Sequence, residues 1–340
     1  MSSPALASYG SEQCGLVAGY LFAADGRGRA IESDEAARWL KENADREGPE
    51  FIWLHFSAAN IATEKWLQQH FNLPEAFFEA LREGSQSTRI EYAEGALVSV
   101  INDVIYDFLS AESLQVATLW LGINRRWLIT VRNQPLRSVD RLRMAVKSGE
   151  AFLSPLELVI HLMRDQAEVL VSIVRKTVAK VDAIEDGLLA GRLAIKRASL
   201  GVMRRDLVRL QRLLAPEPAA LFRLLNRPPA WVGETIIGEL RQSTEEFSLA
   251  LRDMAALQER IKLLQEEIAA SVNEQTNRTV FVLTAVTVIA LPINLISGLF
   301  GMNVGGVPYN QDPHGFWLVA ALVVVFSILA GWVIFRGRRD

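Results

Sequence analysis

The chain has almost no cysteine: Cys14 is the only one in 340 residues. A single thiol cannot close a disulfide within the chain or build a cysteine-rich zinc cage. No sign of charge dominates either. Lys and Arg number 36 and Asp and Glu 39, a formal net charge of −3, so the body is not made to track a nucleic-acid backbone. Histidine is scarce, and His55, His70 and His161 stand far apart without ligand spacing, which reads as structural use. There is no phosphate-binding loop, nucleophile elbow or HExxH helix, so no enzyme class is indicated. The N-terminal MSSPALASYGSEQCG lacks a basic start and an apolar stretch. The first ~275 residues are therefore expected to stay where they are made.

A further absence is local. Val280 to Phe300 runs for 21 residues and Phe316 to Phe335 for 20 without a charged side chain. At about 1.5 Å per residue each spans roughly 30 Å, the thickness of a bilayer's hydrocarbon core. Two transmembrane helices are predicted, and buried core helices are a poor account of such long charge-free runs. Arg278 precedes the first run, Arg336, Arg338 and Arg339 follow the second, and Gly301 to Gly315 between them holds no Lys or Arg. By the positive-inside rule both termini are expected in the cytoplasm, in a multi-pass protein of the cell inner membrane.

Upstream, residues 14 to about 150 alternate strand and helix signals. CGLVAGYLFA and EFIWLHF read as strands, TEKWLQQHF and PEAFFEALREG as short helices. Glu94-Gly95 and Asn124-Arg125 sit between alternating runs as hairpin turns, and SVDRLRMAVKSG reads as a closing helix. After Ser154, a plausible N-cap with Pro155 in the first position, strand signals stop. A second helix, RASLGVMRRDLVRLQRLL, is expected to be stopped by Pro216 and Pro218. From about Trp231 nothing breaks the helical pattern until Pro292, so one helix is predicted to run through Arg278 into the first span. The expected division is a mixed α/β cytoplasmic domain over 1–150, a helical stalk over 151–278 and a two-span membrane domain over 279–340, with spans 280–300 and 316–335. In fold class this is an α+β cytoplasmic domain, a long-helix stalk and two transmembrane helices.

The first span carries a stripe. Asn277, Val280, Thr284, Thr287, Leu291, Asn294, Gly298 and Gly301 follow one another at steps of three and four, which places all eight on one helix face. Six of the eight are polar or glycine, and a polar face should point at protein or water rather than lipid. Two helices cannot enclose water, but one striped helix from each of several copies can. The same residue types also serve as close-packing contacts between membrane helices. On the first account a homo-oligomer in the lipid bilayer is expected.

Gly301-Met302-Asn303 ends this stripe, about ten residues after Pro292, within TNRTVFVLTAVTVIALPINLISGLFGMN. In this position the tripeptide resembles the signature of the CorA family of divalent-metal transport proteins, and the resemblance extends over the whole order of domain, stalk, two spans and basic tail. It implies a CorA-like homopentamer whose first spans line a pore, with Gly301, Met302 and Asn303 at its selective mouth. The loop that follows, VGGVPYNQDPHG, is similar to the zinc-associated ZntB branch, whereas magnesium-type members usually carry an acidic residue there. Zinc is thus the expected transported substrate, with magnesium, cobalt or nickel as the alternative, and no resident cofactor is implied. A membrane-anchored sensor without transport is the remaining alternative.

The residues themselves constrain the chemistry. Both apolar runs lack Asp, Glu, His and Cys, so the stripe offers amide oxygens, hydroxyls and carbonyls, which suit a hydrated divalent ion held through its waters. Met302 is expected to pack rather than ligate. Leu291 and Val280, with Leu283 beside them, would form apolar rings able to gate by excluding water. Asp312 and His314, the titratable groups of the outer loop, are candidates for loose cation recruitment, although both also fit the turn before the second span. Glu259 and Glu266 continue the striped face towards the N-terminus and are candidates for a cation-attracting funnel.

Overall fold

The structure is a computed structural model, described for residues 13–43, 48–84, 88–104, 116–190, 197–302 and 313–336. Two compact units divide at Leu263 and Leu264. In chain order the elements of the first are β1 (Leu16–Phe22), β2 (Gly28–Ala30), α1 (Ser33–Asn43), β3 (Phe51–Ser57), α2 (Ala62–His70), α3 (Glu75–Arg82), β4 (Arg89–Ala93), β5 (Ala96–Val104), β6 (Val116–Ile123), β7 (Trp127–Arg132), α4 (Arg137–Lys147), α5 (Pro155–Leu189), α6 (Arg197–Leu214) and α7 (Pro216–Asn226). A helix of 67 residues, α8 (Glu234–Phe300), follows, and then α9 (Gly315–Arg336).

The seven strands form one sheet in the order β2-β1-β3-β7-β6-β5-β4. Only β3 and β7 pair in parallel; the other neighbours are antiparallel. This central pair explains the nearly continuous apolar run FIWLHF: a parallel strand is covered on both faces. Ile52, Leu54 and Phe56 join a core with Ala36, Leu67 and Phe77 from α1, α2 and α3. The alternate residues Phe51 and Trp53 point into a second core with Leu136 just before α4, Val139 and Leu142 of α4, and Leu156 and Leu162 of α5. The period of two along β3 thus serves both layers.

The expected hairpins form for stated local reasons. Glu94 and Gly95 both take positive φ, 49° and 82°, the geometry of a two-residue turn whose twist matches its strands. At the β6–β7 turn Asn124 Oδ1 accepts from the Arg126 and Trp127 N–H groups at 2.7 and 2.9 Å. Ser154 caps α5 as read from sequence, accepting from Glu157 N–H at 3.3 Å while Glu157 Oε2 reaches back to Leu153 N–H at 2.7 Å. The expectation at Pro216 and Pro218 needs correction. The prolines do end α6, but they also open α7, because the first turn of a helix has no use for the N–H that proline lacks. Two more elements, β2 and α1, carried no sequence reading.

The helices α5 to α7 are tied to the sheet through buried polar groups on β5. Glu217, in the first turn of α7, is 1% exposed and accepts the Asn102 N–H at 2.6 Å. Gln166 of α5 donates to the Asn102 carbonyl at 2.8 Å, and Thr118 of β6 to Asn102 Oδ1 at 3.1 Å. Asp103 beside it accepts from the backbone and hydroxyl of Ser138. Burial pushes the Glu217 carboxyl well above its ordinary value of 4.5; the Asn102 hydrogen bond opposes this and the Asp103 charge adds to it. Glu217 Oε2 is buried with no hydrogen-bond partner among the described residues, so no donor at that oxygen favours the charged form.

A raised native value has a definite sign. The stabilisation from Glu217 is complete below the unfolded-state value near 4.5 and is lost as pH rises towards the native one. Glu217→Gln keeps the acceptor for Asn102 and cannot ionise. The wild-type melting temperature should therefore fall more than that of the variant between about pH 5 and about pH 8, measured by calorimetry. Equal slopes for the two proteins would show that Glu217 does not hold its proton.

Candidate metal-ion path

The second unit contains the apolar parts of α8 and α9. Their most apolar windows reach mean hydropathies of 2.3 and 2.2, and only 6% and 0% of those windows are buried within the chain. Core helices of a soluble protein would be covered. Here Val280, Leu291 and Leu295 of α8, and Phe316, Trp317 and Ile328 of α9, are all more than half exposed. Such surfaces require hydrocarbon or further copies of the chain.

The striped residues Asn277, Val280, Thr284, Thr287, Leu291, Asn294 and Gly298 all lie in α8 and are all exposed. A single helix at this spacing keeps them on one face. The hydroxyls are oriented in a way the sequence does not reveal. Thr284 donates its proton to the Val280 carbonyl and Thr287 to the Leu283 carbonyl, each at 2.8 Å. The donor is spent inside the helix, and the lone pairs of each oxygen remain available outward. Asn277 and Asn294 have no partner among the described residues. The face therefore presents mainly acceptors, the complement of water molecules polarised by a cation.

Pro292 lies inside α8 without ending it. Having no N–H, it leaves the Val288 carbonyl without its helical donor, a further acceptor on the flank of the same face. Sequence reasoning missed this group, although Pro292 itself was the signal. At the end of α8, Gly301 donates its N–H to the Ser297 carbonyl at 2.9 Å, and a Cβ there would lie 3.1 Å from that oxygen. Glycine thus permits the closing turn. Met302 is about half exposed. Asn303 and Asp312 lie outside the described residues. His314 is exposed, and its carbonyl accepts from Leu318 N–H at 3.2 Å at the start of α9.

The more distant candidates separate. Glu259 is exposed but forms an ion pair with Lys262 at 3.0 Å, which reduces its pull on a cation; Glu266 is exposed. The three upstream histidines sit in structural settings. His55 is fully buried against the Thr130 hydroxyl at 2.8 Å, and burial, with Arg132 and Arg143 near, pushes its value well down, so it is neutral. His70 bonds the Trp66 carbonyl at 2.8 Å and stacks on the Trp66 ring. His161 lies 3.4 Å from Asp165 and 3.7 Å from Glu150. Among the described residues no group of three His, Cys, Asp or Glu side chains is placed to hold a metal ion.

Comparison with known proteins agrees with this geometry. Residues 48–339 match the family described as CorA-like Mg2+ transporter protein. The divalent cation transporter CmaX of Pseudomonas aeruginosa is 27% identical over 332 residues, which cover 96% of this chain and 97% of CmaX. The zinc transport protein ZntB of Yersinia pseudotuberculosis is 22% identical over 321 residues, 94% of this chain and 95% of that one. The solved structure of a full-length CmaX protein aligns with a TM-score of 0.80 at 26% identity, covering 96% of this chain and 99% of the other. A family match over most of the chain, the same fold at full length and two exposed membrane-length helices have one common explanation: the chain belongs to the CorA family of divalent-cation transporters.

Proposed function

We propose that the protein carries zinc across the cell inner membrane as a hydrated ion, through a pore lined by α8 from five copies. The observation that carries this reading is the acceptor-rich stripe of α8, with its threonine protons turned into the helix. A dehydrated ion held by carboxylates or imidazoles would leave slowly, and the stripe has neither. Five is the number implied by the family resemblance. On this reading the protein divides into a cytoplasmic domain over 1–150, a stalk over 151–278 and a membrane domain over 279–340, with both termini in the cytoplasm.

Gly301, Met302 and Asn303 then form the outer mouth, with the Asn303 amides accepting from the ion's waters. Leu291 and Val280 form the narrow apolar rings. Asp312 and His314 recruit cations outside, and Glu259 and Glu266 line the inner approach. Zinc is preferred because of the VGGVP loop and the match to zinc transport proteins. Magnesium is the second reading, favoured by the description of the matching family.

Three measurements test this. Purified protein in liposomes should take up zinc faster than magnesium, read with ion-specific dyes. The reverse order would assign magnesium, and no flux of either ion would leave a membrane-anchored sensor. Asn303→Ala should lower flux by about tenfold or more with the assembly intact, since hydrated ions lose their acceptors. Wild-type flux in that variant would remove Asn303 from the mouth. Leu291→Cys and Thr287→Cys should both react with water-soluble thiol reagents in a conducting state. Labelling of Thr287→Cys with persistent protection of Leu291→Cys would place Leu291 off the axis.

A further inference from the structure

Helix α6 has an exposed face of arginines without acids. Arg204, Val208 and Arg212 step by four along it, flanked by Arg205 and Arg209, and all five are exposed. None of the four guanidiniums has a hydrogen-bond or ion-pair partner among the described residues. Asp206 is the single acid of the helix and is only partly exposed. Like charges at i and i+4, such as Arg205 and Arg209, weaken a solvated helix. By contrast, Arg260 of α8 is matched by Asp182 and Glu185 of α5.

The first part of α8 presents the complement. Glu245, Leu249 and Asp253 also step by four, all exposed, and neither carboxylate has a partner among the described residues. Each triplet covers about 12 Å of one helix face. In each, two charges of one sign flank an exposed apolar residue, Val208 at 44% and Leu249 at 55%. Laid side by side in either direction, the triplets set Val208 on Leu249 and bring both arginines to both carboxylates. Within the chain they remain apart, each with its apolar centre uncovered.

We propose that these triplets join between copies, α6 of one subunit docking on α8 of its neighbour. The contact rests on the homo-oligomeric reading above and adds to it the surfaces that hold neighbours in register. Arginine suits this use, because its planar fork takes a carboxylate through two parallel hydrogen bonds. The apolar centre excludes water from those bonds, as in a small hot spot.

The test uses full-length protein in nanodiscs, with Cys14→Ser as background. Val208→Cys combined with Leu249→Cys should give a ladder of covalent multimers on oxidation. Adding Arg204→Glu and Arg212→Glu should lower the yield about tenfold, because like charges then meet. Adding Glu245→Arg and Asp253→Arg to that set should restore it, which also shows that the reversed helices fold. If native mass spectrometry shows an intact oligomer while no ladder forms, or reversal leaves the yield unchanged, the contact is refuted and the oligomeric reading stands. A monomer without any substitution refutes both. If reversal instead abolishes binding to phosphatidylglycerol vesicles and no ladder forms, the arginine face belongs to lipid headgroups and the proposal falls.

Discussion

Uncovered apolar surface on α8 and α9 is the constraint from which the other features follow. Leu291 and Ile328 are two thirds exposed in the single chain. Hydrocarbon can cover such a surface on α9 at no electrostatic cost. It cannot do so on the striped face of α8, where Asn277, Thr284, Thr287 and Asn294 stand among the aliphatic residues. Lipid and the stripe are incompatible, so the two faces of α8 need different surroundings. The striped face therefore needs water or protein beside it.

The same constraint shapes the chemistry. In a low-dielectric setting each polar group must either be satisfied within the helix or be useful outside it. The threonine hydroxyls do both, giving the proton to a carbonyl one turn back and keeping the lone pairs free. Pro292 adds an acceptor by withholding a donor. The soluble unit treats its buried acid differently: burial pushes the Glu217 carboxyl well above its ordinary value, against a single backbone hydrogen bond from Asn102.

Long-period and local features were legible in the sequence. Hydropathy and the three-four spacing located α8, α9 and the stripe. Capping chemistry located the start of α5 at Ser154, and turn residues located both hairpins. Features that depend on distant pairing were not. The clamp of Glu217 on Asn102 joins residues 115 apart, and nothing near either position announces it. Pro216 was misread in part because proline ends one helix and begins another with the same local signature. The direction of the threonine protons was hidden because it depends on backbone carbonyls already being in place. Asn303 was singled out through the family resemblance and Asp312 as a titratable group of the outer loop; both lie outside the described residues.

The parallel pairing of β3 with β7 also fixes a schedule. Phe56 meets Val131 from 75 positions away, so the centre of the sheet cannot close until the ribosome has released residue 132. About 150 further residues separate that point from the first apolar run, roughly 7 to 30 seconds of synthesis at ordinary rates. The sheet therefore has time to fold before any membrane-seeking segment emerges. A domain already folded at that moment is too bulky to be threaded through the insertion machinery, and so it acts as a stop that holds its own side of the bilayer. On the topology proposed above, vectorial synthesis would thus add a kinetic determinant of orientation to the flanking arginines.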